Sequence, residues 1–157
     1  MTRIQLIGLA AGGSLAVLLA ALAFQYIGGL APCPLCVWQR WPHFAAVVIG
    51  GLALTVRAPG LVRAWPVLGA IAALGAAGLA GYHFGVEMKW WIGTPSCMGG
   101  SISGVSVTDL LNPDVSVAPP VRCDEVAWSF LGLSMAGWNV LASLGFAGLW
   151  AWAAARD

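Results

Sequence analysis

Four apolar runs, at about residues 4–27, 37–56, 64–84 and 129–153, divide this chain. Each meets the length of about 20 residues that a bilayer demands of a helix. Inside lipid every backbone N–H and C=O must be satisfied within the segment, which selects helices over open strands. Composition agrees: 60% of residues are hydrophobic and 8% charged, against about 25% charged in a soluble domain. The expected fold is therefore all-α, an integral membrane four-helix bundle forming a single domain over 1–157. The first run resembles a secretion signal, because Arg3 precedes it and Ala21-Leu22-Ala23 has the form of a cleavage site. Its length exceeds the roughly 7–15 apolar residues of a signal core, so it is read as a span. A net charge of +1 provides no basic patch to neutralise phosphates and excludes nucleic-acid binding. Nine Trp, many near the ends of the runs, suit an interfacial belt in a lipid bilayer.

Basic residues orient the bundle. Arg3, Arg57, Arg63 and Arg156 fall on one side; Arg40, Lys89 and Arg122 fall on the other. The larger number marks the cytoplasmic side, which puts both termini there. The two outer loops, about 28–36 and 85–128, then hold Cys33 and Cys36 in the first and Cys97 and Cys123 in the second. All four face a compartment where disulfides persist. The second loop is long, irregular, rich in Gly, Ser and Pro, and carries Glu87, Asp109, Asp114, Asp124 and Glu125. A short surface helix is expected within 105–111. Ala73, Ala77, Gly81 and Gly85 recur every four residues and form a small-residue stripe for close helix packing.

The chemistry concentrates in Ala31-Pro32-Cys33-Pro34-Leu35-Cys36-Val37-Trp38-Gln39-Arg40. Read as a helix start, it places Cys33 at the N-cap and Pro34 at the first helical position. Arg40 then follows Cys36 by one turn on the same face, where its charge favours thiolate. Pro42 kinks that helix or begins it, and if it begins it, Cys36 and Arg40 lose their shared face. Four cysteines allow three pairings. On spacing alone a redox-active pair, structural bridges and a zinc site completed by Cys97 and Cys123 all stand; the tiny loop and the adjacent cation favour redox chemistry. Resident metal is not expected. Arg40 either snorkels to the interface or donates to an anionic or carbonyl ligand between helices. His43 and His83 lie at the outer ends of neighbouring spans, which also admits haem ligation. His83 and Glu87 share a face and can relay protons; alternatively Glu87 pairs with Lys89.

The segment from Cys33 to Arg40 resembles the disulfide bond formation protein B (DsbB) family of bacterial inner-membrane oxidoreductases. So do the two cysteines of the long loop and Trp128-Ser129-Phe130-Leu131-Gly132-Leu133-Ser134-Met135-Ala136-Gly137-Trp138. The periplasm is kept oxidising by a DsbA–DsbB–quinone chain. The resemblance implies that a reduced DsbA-like thioredoxin-fold protein attacks a Cys97–Cys123 disulfide, with Cys97 taking the mixed disulfide. Electrons then pass to Cys33 and Cys36 through a transient Cys33–Cys123 bridge. Cys36 delivers them to ubiquinone or menaquinone, with Arg40 holding a quinone oxygen and Met135 and Trp138 lining its site. A donor near about −120 mV lies well above the glutathione range, so a quinone is the better sink. In the family a histidine near the quinone is separated from a tyrosine by one residue; here His83 directly follows Tyr82, a shift of about 100°. His83 is thus a candidate quinone contact and Glu87 an alternative proton donor. Two other readings are a relative of vitamin K epoxide reductase, whose CxxC lies near the last helices, and a membrane scaffold with structural disulfides.

Overall fold

The structure, a computed structural model, describes residues 1–56, 62–97 and 121–156. Helix α1 (Arg3–Tyr26) opens with a reciprocal cap: Thr2 accepts from the Gln5 N–H while the Gln5 side chain accepts from the Thr2 N–H. Both orphan donors are thereby satisfied. The second apolar run does not form one helix. It divides into α2 (Pro34–Trp38) and α3 (Arg40–Thr55), with Gln39 as a turn between them. Pro42 explains the division, because it lacks an N–H and its ring would meet the carbonyl of Trp38 in a continuous helix.

Helix α4 (Ala64–Glu87) extends three residues past the third apolar run and so takes Glu87 onto the helix. Helices α1 and α4 are 24 residues each, about 36 Å of helix against about 30 Å of hydrocarbon. Both are long and apolar enough to cross a membrane. The fourth run corrects the all-α expectation in a small way. From Ser129 the chain makes a hairpin, β1 (Ser129–Phe130) against β2 (Leu133–Ser134), before α5 (Met135–Ala155) begins. Leu131 (φ 51°) and Gly132 (φ 78°) supply the two left-handed residues that a tight two-residue turn requires. The helix expected within 105–111 and the cation Arg57 lie outside the described residues.

Helix α1 packs on α3 and α5, and α4 packs on α3 and α5, so the four long helices close a ring. Its inner end away from the cysteines is filled by Leu6, Ile7, Ala10, Ala73, Ala147 and Trp150. Trp150 fits because Gly69 of α4 leaves room for its ring; a Cβ at Gly69 would collide with the indole. The four-residue stripe holds only in part. Ala73, Ala77 and Gly85 are buried, but Gly81 faces open space. Strict four-residue spacing drifts around a 3.6-residue helix, and the buried line follows Gly69, Ala73, Ala76, Ala80, His83 and Glu87 instead. Leu9, Leu19, Ile71, Leu74, Leu141 and Leu144 point outward, as expected of a membrane protein's lipid-facing surface.

Candidate active site

Cys33 is the N-cap of α2: its sulfur accepts from the Cys36 N–H at 3.1 Å, and Pro34 takes the first helical position. The two cysteines are bonded to each other, with Cα atoms 5.1 Å apart. Cys97, in the 3₁₀ turn Pro95–Cys97, is bonded to Cys123 across 26 residues of sequence. The two disulfides do not sit apart. Cys33, Cys97 and Cys123 pack with Leu35 and Val86 in one buried cluster, flanked by Cys36 and Tyr82. The sulfurs of Cys33 and Cys123 and a ring nitrogen of His83 all lie within 4.8 Å of one another.

On its other side Cys36 borders an apolar cavity of about 340 Å³ between α1, α2, α3 and α5. That volume lies in the range of small-molecule sites. Arg40, His83, Met135 and Trp138 line the same cavity. The break at Gln39 therefore does not part Cys36 from Arg40, although they belong to different helices. Arg40 does not turn outward to the interface; its Nη1 donates to Gln25 of α1 at 2.8 Å. Its Nε is buried and has no partner among the described residues. An unpartnered buried donor on a cation at the edge of an apolar cavity suits a carbonyl or anionic oxygen. A quinone, a flat apolar ring with carbonyl oxygens, fits this combination.

The one-residue shift between Tyr82 and His83 has a plain outcome. Tyr82 stacks on Trp91 and its hydroxyl donates to the Ile92 carbonyl at 3.4 Å, while His83 faces inward. His83 Nε2 is 3.6 Å from the Cys33 sulfur, and Nδ1 is 2.7 Å from the Gln39 amide. Glu87 does not pair with Lys89. It accepts a hydrogen bond from Ser134 and lies 3.9 Å from His83 Nε2. Lys89 adopts φ 59° just beyond the helix end, which turns the chain away from α4. Trp138 donates its indole N–H to the Phe130 carbonyl at 3.0 Å, tying the cavity wall to the hairpin. Next to Cys123, Arg122 grips Asp124 with two bonds of 2.9 and 2.8 Å. That fork holds the Asp124 carboxyl below its ordinary range.

Gln39, Asn139 and Ser134 were not singled out by the sequence, yet each is buried or half-buried and bonded at the site. Gln39 and Ser134 lie inside the two segments that carry the family resemblance but were given no role, and Asn139 was signalled only as an isolated polar side chain in an apolar run.

A sequence profile described as disulfide bond formation protein DsbB matches residues 3–153. The chain is 36% identical to the disulfide bond formation protein B of Methylococcus capsulatus over 83% of its own length and 80% of the relative's. It is 31% identical to that of Hahella chejuensis, covering 87% and 84%. It is also 31% identical to that of Nitrosococcus oceani, covering 88% and 86%. No solved structure matches.

Proposed function

Because the chain belongs to the DsbB family of disulfide bond formation proteins, we propose that it is a thiol:quinone oxidoreductase of the bacterial inner membrane. Its four long helices cross the bilayer as one domain, both termini face the cytoplasm, and both cysteine pairs face the periplasm. Its donor is a reduced DsbA-like thioredoxin-fold protein, and its acceptor is ubiquinone or menaquinone from the membrane pool. One observation carries this reading. Cys36 borders the apolar cavity while Cys33, its bonded partner, lies within 4.8 Å of Cys123. One disulfide thus touches both the other disulfide and the cavity.

The exchange balances in four steps. A donor thiolate attacks Cys97, and Cys123 leaves as thiolate. Cys123 attacks Cys33, opening the bond to Cys36, which leaves as thiolate beside Arg40. The donor's second thiol displaces Cys97 and closes the donor disulfide. Cys97 then attacks Cys123, restoring the outer disulfide and releasing Cys33. Two electrons now reside on Cys33 and Cys36 as a thiolate pair, the donor's two thiol protons having been released along the way, and a bound quinone would supply the acceptor for the electrons. Arg40 orients the acceptor's oxygen through Nε and stabilises the Cys36 thiolate. Met135 and Trp138 hold the ring, and His83, whose ring borders the cavity, links it to Cys33. Glu87 supplies or receives a proton behind His83.

The test is quinone reduction by purified protein in detergent with a reduced DsbA-like donor. Cys36→Ser and Cys97→Ser are expected to abolish turnover. Arg40→Ala is expected to raise the apparent KM for quinone about ten- to hundredfold, the worth of a charge-assisted hydrogen bond. Full turnover in both cysteine variants would reduce the thiols to structural staples and overturn the proposal.

A further inference from the structure

A line of buried amides and imidazoles runs behind the cavity, and its polarity can be assigned bond by bond. Gln39 lies 3.3 Å from the Leu35 carbonyl through its Nε2. A carbonyl only accepts, so the amide nitrogen must face it. The same nitrogen is 2.7 Å from His83 Nδ1, so Nδ1 accepts and the ring proton sits on Nε2. Gln39 Oε1 accepts from Asn139 Nδ2 at 2.7 Å. Asn139 Oδ1 in turn accepts from His43 Nε2 at 2.8 Å and from the Ser143 hydroxyl at 3.2 Å. Around His83 Nε2 stand acceptors: the Cys33 sulfur at 3.6 Å and Glu87 at 3.9 Å. Every group in the line has one consistent role.

We infer that Gln39 and Asn139 are positioning residues that hold His83 as the Nε2–H tautomer aimed at Cys33. Both nitrogens of His83 are then engaged by protein, and its donated hydrogen serves sulfur. The two cysteines of the pair receive different treatment: Cys36 has the Arg40 charge, and Cys33 has a neutral N–H donor. When the Cys33–Cys123 bond breaks, its electron pair goes to Cys33, and the His83 N–H stabilises that anion. This consequence rests on the exchange proposed above; the tautomer does not. The titratable and charged groups facing the ring are Glu87 on its own helix, Cys33 at the head of α2, and Cys123 in the loop; Cys36, Arg40 and His43 line the same cavity as the ring.

Two measurements test it, neither needing donor or quinone. In a full chain with Cys33 as the only cysteine (Cys36→Ser, Cys97→Ser, Cys123→Ser), iodoacetamide alkylation is followed against pH. Gln39→Met or Asn139→Leu is expected to raise the midpoint by about one pH unit, a roughly tenfold slower reaction below it. In the chain with both disulfides intact, ¹⁵N-histidine NMR reads the tautomer, with the His83 signals identified by their loss in His83→Gln. Wild type is expected to show Nε2–H, and Gln39→Met and Asn139→Leu a mixture of both tautomers. Asn139→Leu is the sharper variant, since it acts on His83 only through Gln39. Helical circular dichroism confirms that each variant is folded. An unchanged tautomer or an unchanged alkylation midpoint in folded variants overturns the inference. Absence of quinone turnover in the wild type, with the tautomer and the alkylation shift as expected, would instead count against the proposed function and leave this inference standing.

Discussion

Ser134 uses one hydroxyl twice. It accepts from the Gly137 N–H as the N-cap of α5 and donates to buried Glu87 of α4. Ser134→Ala removes the cap and leaves a buried carboxyl unpartnered, so a loss of about 1–2 kcal/mol is expected. A lower unfolding midpoint in detergent would register it, with Ser134→Thr recovering much of the loss. Leu131 presents the opposite case. It occupies a left-handed conformation with its side chain 80% exposed, which costs a non-glycine residue about 1–2 kcal/mol. Leu131→Asn is expected to stabilise the fold by about 1 kcal/mol, read as a rise in the same midpoint. At this scale the cysteines, Pro34 and Arg40 were legible because their chemistry is local: a cap, a fixed φ, a charge one turn away. Gln39 and Asn139 were not, because a lone amide in an apolar run says that a partner exists without saying which.

Pro42 decides how α2 and α3 meet. An unbroken helix would set Cys36 and Arg40 on one face by periodicity alone. The structure reaches the same result through a break, with Gln39 turned inward between the two pieces. Pro42→Ala removes the clash with the Trp38 carbonyl and restores an N–H, which lets the helices join and rotates Gln39 out of place. A roughly tenfold rise in apparent KM for quinone, about 1.4 kcal/mol, with unchanged helical content, is the expected outcome. The fourth apolar run shows why element boundaries were less legible than elements. Trp-Ser-Phe-Leu-Gly-Leu is too short for its period to separate strand from helix, and the hairpin declares itself only through Gly132 and the capping Ser134.

Across the whole molecule, the cavity and the two disulfides occupy one end of the helix ring, and Trp150 fills the other. Trp150→Ala is expected to cost about 3–5 kcal/mol, and Gly69→Val about 1–3 kcal/mol by overpacking. Combined, they should fall well short of the sum, since the clash at Gly69 disappears with the indole; unfolding in detergent of the two single variants and the double variant measures the coupling. Packing of this kind was legible as a need for small residues but not as a register, since the partner ring comes from a helix far away in sequence. The sulfurs of Cys97 and Cys123 carry a last consequence, for both residues are 0% exposed. In the exchange proposed above, a disulfide so enclosed selects its reductant by admission. A small thiol in solution brings no binding surface with which to prise the site open, whereas a protein donor can spend contact energy on that opening before any sulfur reacts. The chain's fidelity to one kind of customer would then reside in the door.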